Sequence, residues 1–279
     1  MATFKVKSVS DPEAPASWQS CIFKVGDDCR QDVMTLQIIS AIKSIFELHS
    51  LHLYLFPYRV VATAPGCGVI EVIPNSISRD MLGREKINSL YEYFWFKYGN
   101  PNGLAFQTAR EEFIKSMAAY SVITYLVAIR DRHNGNIMID DQGHIIHIDF
   151  GFVLDIGPGG MIFERSPFKL TSEMIQVMGG KEDSSPYFVQ FQNLCVQAFL
   201  LLRPYAEQLI QLVDGVKESG LPCFKIGETS IKNLRQRFRL DLDEAEARAF
   251  FANLVNQSCE NVRTDMYDAF QSYRNGIPY

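Results

Sequence analysis

Asp131-Arg132-His133-Asn134-Gly135-Asn136 opens the stretch that decides the fold. It continues through Ile137-Met138-Ile139-Asp140, the turn Asp141-Gln142-Gly143 and His144-Ile145-Ile146-His147-Ile148 to Asp149-Phe150-Gly151. Two largely β-branched runs on either side of a glycine-containing turn predict a β-hairpin. Antiparallel pairing about that turn brings the residue that enters the first strand opposite the end of the second. We therefore expect Asn136 and Asp149 to be close neighbours in space.

An amide oxygen and a carboxylate at that separation suit Mg²⁺, which prefers oxygen ligands together with phosphates. A hairpin with polar ends is common, and D-F-G alone is a weak signal. The order is more specific, because an acid, a histidine and an asparagine precede the hairpin and D-F-G follows it. An acceptor-activating loop and a metal carboxylate in that order are what a phosphoryl-transfer enzyme needs. The segment therefore predicts a phosphoryl-transfer site.

The composition sets the limits within which such a site is built. With 279 residues, 47% of them hydrophobic and 12% aromatic, the chain can form one large domain or two lobes around a cleft. A net charge of −5 argues weakly against a nucleic-acid partner, so none is expected. Six scattered cysteines without a C-x-x-C pair indicate reduced thiols of a cytosolic protein. The apolar run from Met117 to Ile129 is too short to span a bilayer and predicts a buried helix, so any membrane contact is expected to be peripheral.

Periodicity predicts an α+β chain whose strands come early. The expected strands are Phe4–Lys7, Cys21–Val25, Tyr54–Ala64 and Val69–Ile73. A helix is predicted from the apolar positions between Val33 and Phe46. Further helices are predicted over Phe106–Ile129, Thr171–Met178, Pro186–Leu202, Pro204–Ser219, Ser230–Phe238 and Asp243–Tyr273, the last with a capping-box signal at Asp241 and Glu244. We predict a small lobe over residues 1–74, cut short at its start, and a larger, mainly helical lobe over residues 75–279.

Two segments carry a family resemblance: Phe23-Lys24-Val25-Gly26-Asp27-Asp28-Cys29-Arg30-Gln31-Asp32 and Gly143-His144-Ile145-Ile146-His147-Ile148-Asp149-Phe150-Gly151. Together they resemble the catalytic domain of the phosphoinositide 3-/4-kinases. Arg59 to Glu71, Leu221-Pro222-Cys223-Phe224 and the ending Ile277-Pro278-Tyr279 resemble the type III alpha 4-kinase branch. The resemblance implies a two-lobed, protein-kinase-like fold and the use of ATP with Mg²⁺.

The resemblance assigns the nucleotide site residue by residue. It makes Lys24 the lysine that contacts phosphate, although a lysine at a strand end is by itself usually a solvated charge. Asp32 matches the acidic residue that organises the site, and it is equally a carboxylate that the helix dipole favours. Glu71 to Ile73 match the hinge that hydrogen-bonds adenine through its backbone.

The residues expected to carry out the chemistry lie in the loop before the hairpin and at the ends of the hairpin. The resemblance places Asp131 and His133 at the acceptor hydroxyl and leaves open which of them is the base. Asn136 and Asp149 would hold Mg²⁺. Asn134 and Arg132 are expected to be structural, and so is His147, as a buried histidine.

The segment from Phe150 to Thr171 matches the loop that selects the lipid. Beyond Asp149 its charges balance, with Asp155 and Glu164 against Arg165 and Lys169. A head group that already bears phosphates calls for clustered basic residues, so this loop suits unphosphorylated phosphatidylinositol, with Arg165 and Lys169 as substrate-binding residues. The choice of the 4-hydroxyl over the 3-hydroxyl comes from the resemblance alone.

The resemblance also implies peripheral contact with the plasma membrane or another cytosolic membrane face. Met266, Phe270 and Tyr273 in the last predicted helix would rest on the bilayer, although a core stripe is the default for such spacing. Scaffold proteins are expected to bind regions upstream. The kinase loop that covers ATP phosphates is expected before Lys24, and no G-x-G-x-x-G occurs in the chain. Two interpretations therefore stay open, a competent catalytic core and an impaired kinase-like module or fragment.

Overall fold

The computed structural model describes residues 1–11, 13–157, 166–180, 185–225 and 227–259. The strands within these ranges are β1 Ala2–Val6, β2 Ser17–Val25, β3 Val60–Ala64, β4 Cys67–Glu71, β5 Ile77–Ser78, β6 Ile137–Ile139 and β7 Ile145–His147. The helices are α1 Arg30–Leu48, α2 Arg79–Arg84, α3 Leu90–Tyr98, α4 Leu104–Val127, α5 Ser172–Val177, α6 Pro186–Leu202, α7 Ala206–Asp214, α8 Glu228–Arg237 and α9 Glu244–Cys259. Antiparallel sheets combined with packed helices confirm the predicted α+β class.

The first sheet has the order β1-β2-β4-β3 and is antiparallel throughout. In β2, Lys24 pairs with Gly68 of β4, and Cys21 pairs with Glu71 where β4 enters the hinge. Helix α1 buries Met34, Leu36, Ile38, Ile39, Ile42 and Phe46, which extends the predicted apolar face. The sheet and α1 therefore bring a lysine, a hinge and an acidic helix start to one end of the small lobe.

The residues between α1 and β3 correct one prediction. The expected strand Tyr54–Ala64 forms a ladder only from Val60 onward. Residues 51–59, which we call the connector, belong to no described strand, and at their end the Arg59 carbonyl accepts from the Glu71 N–H of β4 at 2.8 Å. Leu55 and Tyr58 are buried at 1% and 5% exposure. The apolar pattern is therefore real, but the connector satisfies it by packing on the larger lobe instead of by joining the sheet.

Helix α4 is the centre of the larger lobe. From Phe113 to Val127 nearly every side chain is buried, as expected for a helix that is apolar on all sides. This confirms the predicted buried helix. Helix α4 packs against α6, and α6 in turn packs against α9. Among the described residues, no helix is long and apolar enough to cross a bilayer.

Two helix boundaries differ from the sequence-based expectation. The capping box of α9 is formed by Asp243 and Glu246, whose side chains bond to each other's backbone N–H at 2.8 and 3.0 Å. Asp241 instead pairs with Arg239 at 2.9 Å, so it is not available as the cap. The predicted helix Pro204–Ser219 is interrupted, with a 3₁₀ turn on either side of α7. The end of the predicted helix beyond Cys259 lies outside the described residues, and the proposed 74/75 boundary between lobes stays a prediction.

The hairpin turn presses closely on α4, which gives a test of the fold. Gly143 has φ +98°, and a Cβ added there would lie 2.7 Å from the Ala109 carbonyl oxygen. Gly180 has φ +97°, but a Cβ added there would have no described atom within 4 Å. Alanine at Gly180 should cost about 1–2 kcal/mol of unfolding free energy from backbone strain. Alanine at Gly143 should cost a further ~1–3 kcal/mol, because the turn must move away from α4. Urea denaturation of the two variants measures the difference, and equal losses would contradict the close approach.

Candidate active site

The predicted hairpin is present with the predicted register. Strand β6 pairs with β7 so that Ile137 faces His147. The pairing continues one step further, because the Ile148 N–H donates to the Asn136 carbonyl at 3.1 Å. Asn136 therefore lies across from Ile148, immediately beside Asp149, as the sequence predicts.

The side chains of this pair offer the ligands that a magnesium ion prefers. The Asn136 amide nitrogen donates to the Asp131 carbonyl at 2.9 Å, which identifies its other atom as the oxygen and leaves that oxygen as an acceptor. Asp149 is exposed, and one of its carboxylate oxygens accepts from the Gly151 N–H at 3.3 Å. Asp131 and Asp149 have φ +62° and +60°, a conformation that non-glycine residues hold mainly where the surroundings enforce it. The donor set of one amide oxygen and one carboxylate fits Mg²⁺ that also binds phosphates.

The catalytic-loop histidine has a defined tautomer. The Gly135 N–H donates to His133 Nδ1 at 3.0 Å. Because a backbone N–H can only donate, Nδ1 carries no proton, and the neutral ring holds its proton on Nε2. This Nε2 lies 3.9 Å from Asp131 Oδ2. The imidazole therefore presents a donor towards the Asp131 carboxylate.

Arg132, between these two residues, fixes the loop against the end of the hairpin. Its guanidinium donates to the Ile148 carbonyl at 2.7 Å, to the Asp149 carbonyl, and to the Arg130 carbonyl at 3.0 Å. The residue is 2% exposed. The structural role predicted for Arg132 is thus visible as three hydrogen bonds, two of which join its loop to the end of the hairpin.

Helix α1 reaches the same segment from the small lobe. The Phe150 N–H donates to Asp32 Oδ1 at 2.8 Å. Burial raises the pKa of Asp32 to about 6; the Phe150 hydrogen bond lowers it, and the negative charge of Asp149 raises it further. Asp32 therefore organises the D-F-G backbone directly, in addition to standing in the first turn of a helix.

Lys24 lies near these acids, and its ammonium forms an ion pair with Asp27, with Nζ 2.5 Å from Oδ2. Burial lowers the pKa of Lys24, but the hydrogen bond with Asp27 and the charges of Asp149, Asp27 and Asp32 outweigh burial and raise the pKa above its ordinary value. The side chain is one-third exposed. It is a charged, accessible ammonium among carboxylates, which suits a phosphate ligand.

The hinge has one free donor among the described residues. The Val72 N–H donates to the Ser20 carbonyl at 3.0 Å, whereas the Ile73 N–H has no partner there. The Glu71 carboxylate accepts from Gln19 at 3.1 Å and from the Arg59 N–H at 2.8 Å, so its role is to hold β4 and the connector. A cleft of about 790 Å³ borders the hinge, but Lys24, Asn136 and Asp149 do not line it. Glu71, Val72 and Ile73 line it instead.

With this geometry in place, the relatives are informative. Residues 18–226 match the family described as "Phosphatidylinositol 3- and 4-kinase". The chain belongs to this family. It is 57% identical over 301 aligned residues to "Phosphatidylinositol 4-kinase stt4" of Schizosaccharomyces pombe and 55% identical over 285 to "Phosphatidylinositol 4-kinase STT4" of Saccharomyces cerevisiae. These matches cover 100% of this chain and 16% and 15% of the two relatives, so the chain spans about a sixth of their length. The human "Putative phosphatidylinositol 4-kinase alpha-like protein P2" is 47% identical over 94% of this chain and 48% of its own.

Family membership confirms the predicted kinase-like fold. Of the two residues predicted to bind substrate, Lys169 lies among the described residues. Lys169 is 6% exposed, and its ammonium donates to Asn134 Oδ1 at 3.0 Å. It therefore joins the end of the lipid-selecting loop to the catalytic loop. Arg165 lies outside the described residues, and its assignment stays a prediction.

Two residues of this kinase site escaped the sequence reasoning. The Gln31 amide donates to the Phe150 and Gly151 carbonyls at 3.1 and 2.6 Å and accepts from the Cys223 N–H at 3.1 Å. The Tyr58 hydroxyl accepts from the Asp149 N–H at 3.3 Å. Gln31 stands beside Asp32 in the family motif, which was a usable signal. Tyr58 carried no signal, because it was expected inside a regular strand.

The raised pKa of Asp32 predicts a pH-dependent stability. The folded protein holds this proton more tightly than the unfolded chain does, so the proton stabilises the fold near pH 4. That stability is lost as the pH rises towards 6, and above pH 6 the buried carboxylate is a cost. Asp32→Asn keeps the acceptor for Phe150 and has no charge. It should match wild type near pH 4 and exceed it at pH 7 by about 1–3 kcal/mol.

Asp28→Asn is the matched control for that experiment. Hydrogen bonds from Arg30 lower the pKa of the exposed Asp28 carboxyl, so its charge is favourable and its removal should not stabilise the protein at pH 7. Urea unfolding at pH 4, 5, 6 and 7 gives both profiles. An Asp32→Asn profile parallel to that of wild type would contradict the burial argument.

Proposed function

We propose that the chain is the catalytic domain of a 1-phosphatidylinositol 4-kinase, which transfers the γ-phosphate of ATP to the 4-hydroxyl of phosphatidylinositol and gives phosphatidylinositol 4-phosphate. The observation that carries this is the hairpin that sets Asn136 beside Asp149, directly after Asp131 and His133. The 57% and 55% identical relatives named phosphatidylinositol 4-kinases support the substrate and the position.

Different residues would bind the nucleotide, hold the metal ion and accept the proton of the hydroxyl. Lys24 and the Ile73 N–H would bind the phosphates and the base of ATP, and Asn136 with Asp149 would hold Mg²⁺. Mg²⁺ would neutralise charge on the β- and γ-phosphates. Since His133 presents a proton on Nε2 and its Nδ1 is occupied by Gly135, the carboxylate of Asp131 is the better acceptor for the hydroxyl proton. His133 then acts as a donor that orients Asp131 or stabilises the transferring phosphate.

The lipid preference follows from charge. Lys169 donates a hydrogen bond to Asn134. The segment from Phe150 to Thr171, which begins after Asp149, carries as many acidic as basic residues. This balance supports phosphatidylinositol over head groups that already bear phosphates. Arg165 remains our candidate for direct contact with the substrate.

Contact with membranes is proposed to be peripheral, at the plasma membrane or another cytosolic membrane face, with scaffold proteins bound by upstream regions of the family's longer chains. Met266, Phe270 and Tyr273, our candidates for bilayer contact, lie outside the described residues. Two of the three basic residues of α8 are paired within the fold, whereas Lys232 is exposed. Arg235 pairs with Glu207, and Arg237 pairs with Asp155 at 2.8 Å, so both charges are used within the fold.

A lipid kinase assay tests the proposal. The full chain is incubated with radiolabelled ATP, Mg²⁺ and phosphatidylinositol vesicles, and the labelled lipid is resolved by the position of its phosphate. We expect phosphatidylinositol 4-phosphate, and little product from phosphatidylinositol 4,5-bisphosphate vesicles. Asp149→Ala should lower the rate by more than about a hundredfold, because it removes a metal ligand.

Asp141→Ala serves as the control, because this exposed aspartate lies on the same hairpin, in the turn. It should leave the rate within about twofold of wild type. Equal rates for Asp149→Ala and wild type would refute catalysis at this site. A 3-phosphate product would keep the lipid-kinase proposal and reject the 4-hydroxyl. No product from wild type would favour a regulatory kinase-like module.

A further inference from the structure

A second histidine lies at the turn of the hairpin, at the end opposite the metal ligands. His144 is 4% exposed. Its Nδ1 is 2.7 Å from Asp140 Oδ2, and its Nε2 is 3.0 Å from Glu112 Oε2 on α4. The His144 N–H also donates to Asp140 Oδ1 at 2.9 Å. Nothing in the proposed reaction uses this group.

The two contacts place each ring nitrogen against a carboxylate. Ionised carboxylates only accept hydrogen bonds, so a ring that donates from both nitrogens satisfies both contacts. Burial raises the pKa of Asp140, but the hydrogen bonds and charge of His144, together with a hydrogen bond from the Gln142 N–H, outweigh burial and hold the pKa below its ordinary value. In Glu112 burial is likewise outweighed, by hydrogen bonds with Lys115 and His144. The turn and α4 are therefore joined by a buried, charge-assisted bridge.

The face of the same ring is covered from the small lobe. Tyr54 of the connector stacks on His144 with ring centroids 3.5 Å apart and planes 9° apart. The Tyr54 hydroxyl lies 3.5 Å from Asp140 Oδ2. An aromatic face attracts a cation placed over it. Tyr54 thus binds the charged form of the ring in preference to the neutral one.

The connector then follows the hairpin to the metal end. The Phe56 N–H donates to the Tyr120 hydroxyl at 3.2 Å, and the Tyr120 ring stacks on His147 at 4.7 Å. Tyr58 accepts from the Asp149 N–H. Tyr54 is therefore at the turn, Phe56 beside the middle of the hairpin, and Tyr58 at the metal ligand.

We propose that His144 is a positioning residue for phosphoryl transfer, which fastens the hairpin turn to α4 and to the connector so that Asn136 and Asp149 keep their spacing for the magnesium–nucleotide complex. The inference rests on the proposed kinase function. A residue that only stabilised the turn would change the unfolding free energy and leave the magnesium dependence alone. A positioning residue changes the magnesium dependence in the folded protein.

The test measures initial rates of the full chain against free Mg²⁺ at saturating ATP and phosphatidylinositol. His144→Gln keeps a polar side chain but cannot bridge two carboxylates as a cation. We expect the magnesium concentration for half-maximal rate to rise about three- to thirtyfold, with a much smaller change in KM for the lipid. His52→Gln, at an exposed position of the connector, should behave as wild type.

Conservative variants separate positioning from loss of folding. Tyr54→Phe keeps the stacked ring and should stay within about twofold of wild type, whereas Tyr54→Leu should shift the magnesium dependence as His144→Gln does. Glu112→Gln keeps an acceptor for Nε2 and should give a smaller shift than Glu112→Leu. Circular dichroism establishes that each variant is folded. If His144→Gln does not fold, the Tyr54 and Glu112 pairs decide the question.

Two readouts do not depend on turnover. Nitrogen-15 NMR of the histidine rings at pH 7 should show both nitrogens of His144 protonated, and magnesium-dependent binding of a fluorescent ATP analogue should weaken in the same variants. A folded His144→Gln protein with wild-type magnesium dependence overturns the proposal, and so does a neutral His144 ring. If wild type forms no product, the kinase function fails, while the nucleotide titration still decides whether His144 positions the hairpin.

Discussion

The backbone from the Ile148 carbonyl to Gly151 continues beyond the hairpin ladder, and those of its peptide groups that are buried or partly buried need side-chain partners. A buried, unpaired N–H or C=O is costly, and this requirement shapes the site. The catalytic loop supplies Arg132 to the Ile148 and Asp149 carbonyls. Helix α1 supplies Gln31 and Asp32 to the next two residues, and the connector supplies Tyr58 to the Asp149 N–H. One short segment therefore ties both lobes to the proposed metal ligand.

That arrangement has an electrostatic consequence. Asp32 is close enough to the D-F-G backbone to accept the Phe150 N–H, which also brings its carboxylate near Asp149. Two such acids favour a cation between the lobes. Lys24 of the small lobe is such a cation, and the negative charges of Asp149 and Asp32 stabilise its protonated form. A magnesium ion held by Asp149 would reduce the same excess of negative charge. The small lobe thus contributes to the metal end of the hairpin through charge as well as through hydrogen bonds.

The sequence could predict the parts of this site that are local. The hairpin, its register and the adjacency of Asn136 to Asp149 follow from a turn and two apolar runs within about twenty residues. The partners of that hairpin could not be predicted in the same way. Gln31 meets Cys223 and Tyr54 meets His144 across long stretches of chain, and no periodicity encodes such contacts. The connector was mistaken for a strand because burial against a neighbouring element produces the same apolar pattern as burial within a sheet.

The two histidines of His144-Ile145-Ile146-His147 lie in different electrostatic environments. Both side chains contact α4, His144 at Glu112 and His147 at Tyr120. His147 faces Tyr120, and burial together with the charges of Arg132 and Lys169 holds its pKa well below the ordinary value, so it is a neutral core residue. His144 faces Asp140 and Glu112, where a neutral ring would leave one carboxylate without its hydrogen bond. The charges near His147 are therefore basic and the charges near His144 are acidic, although one helix contacts both rings.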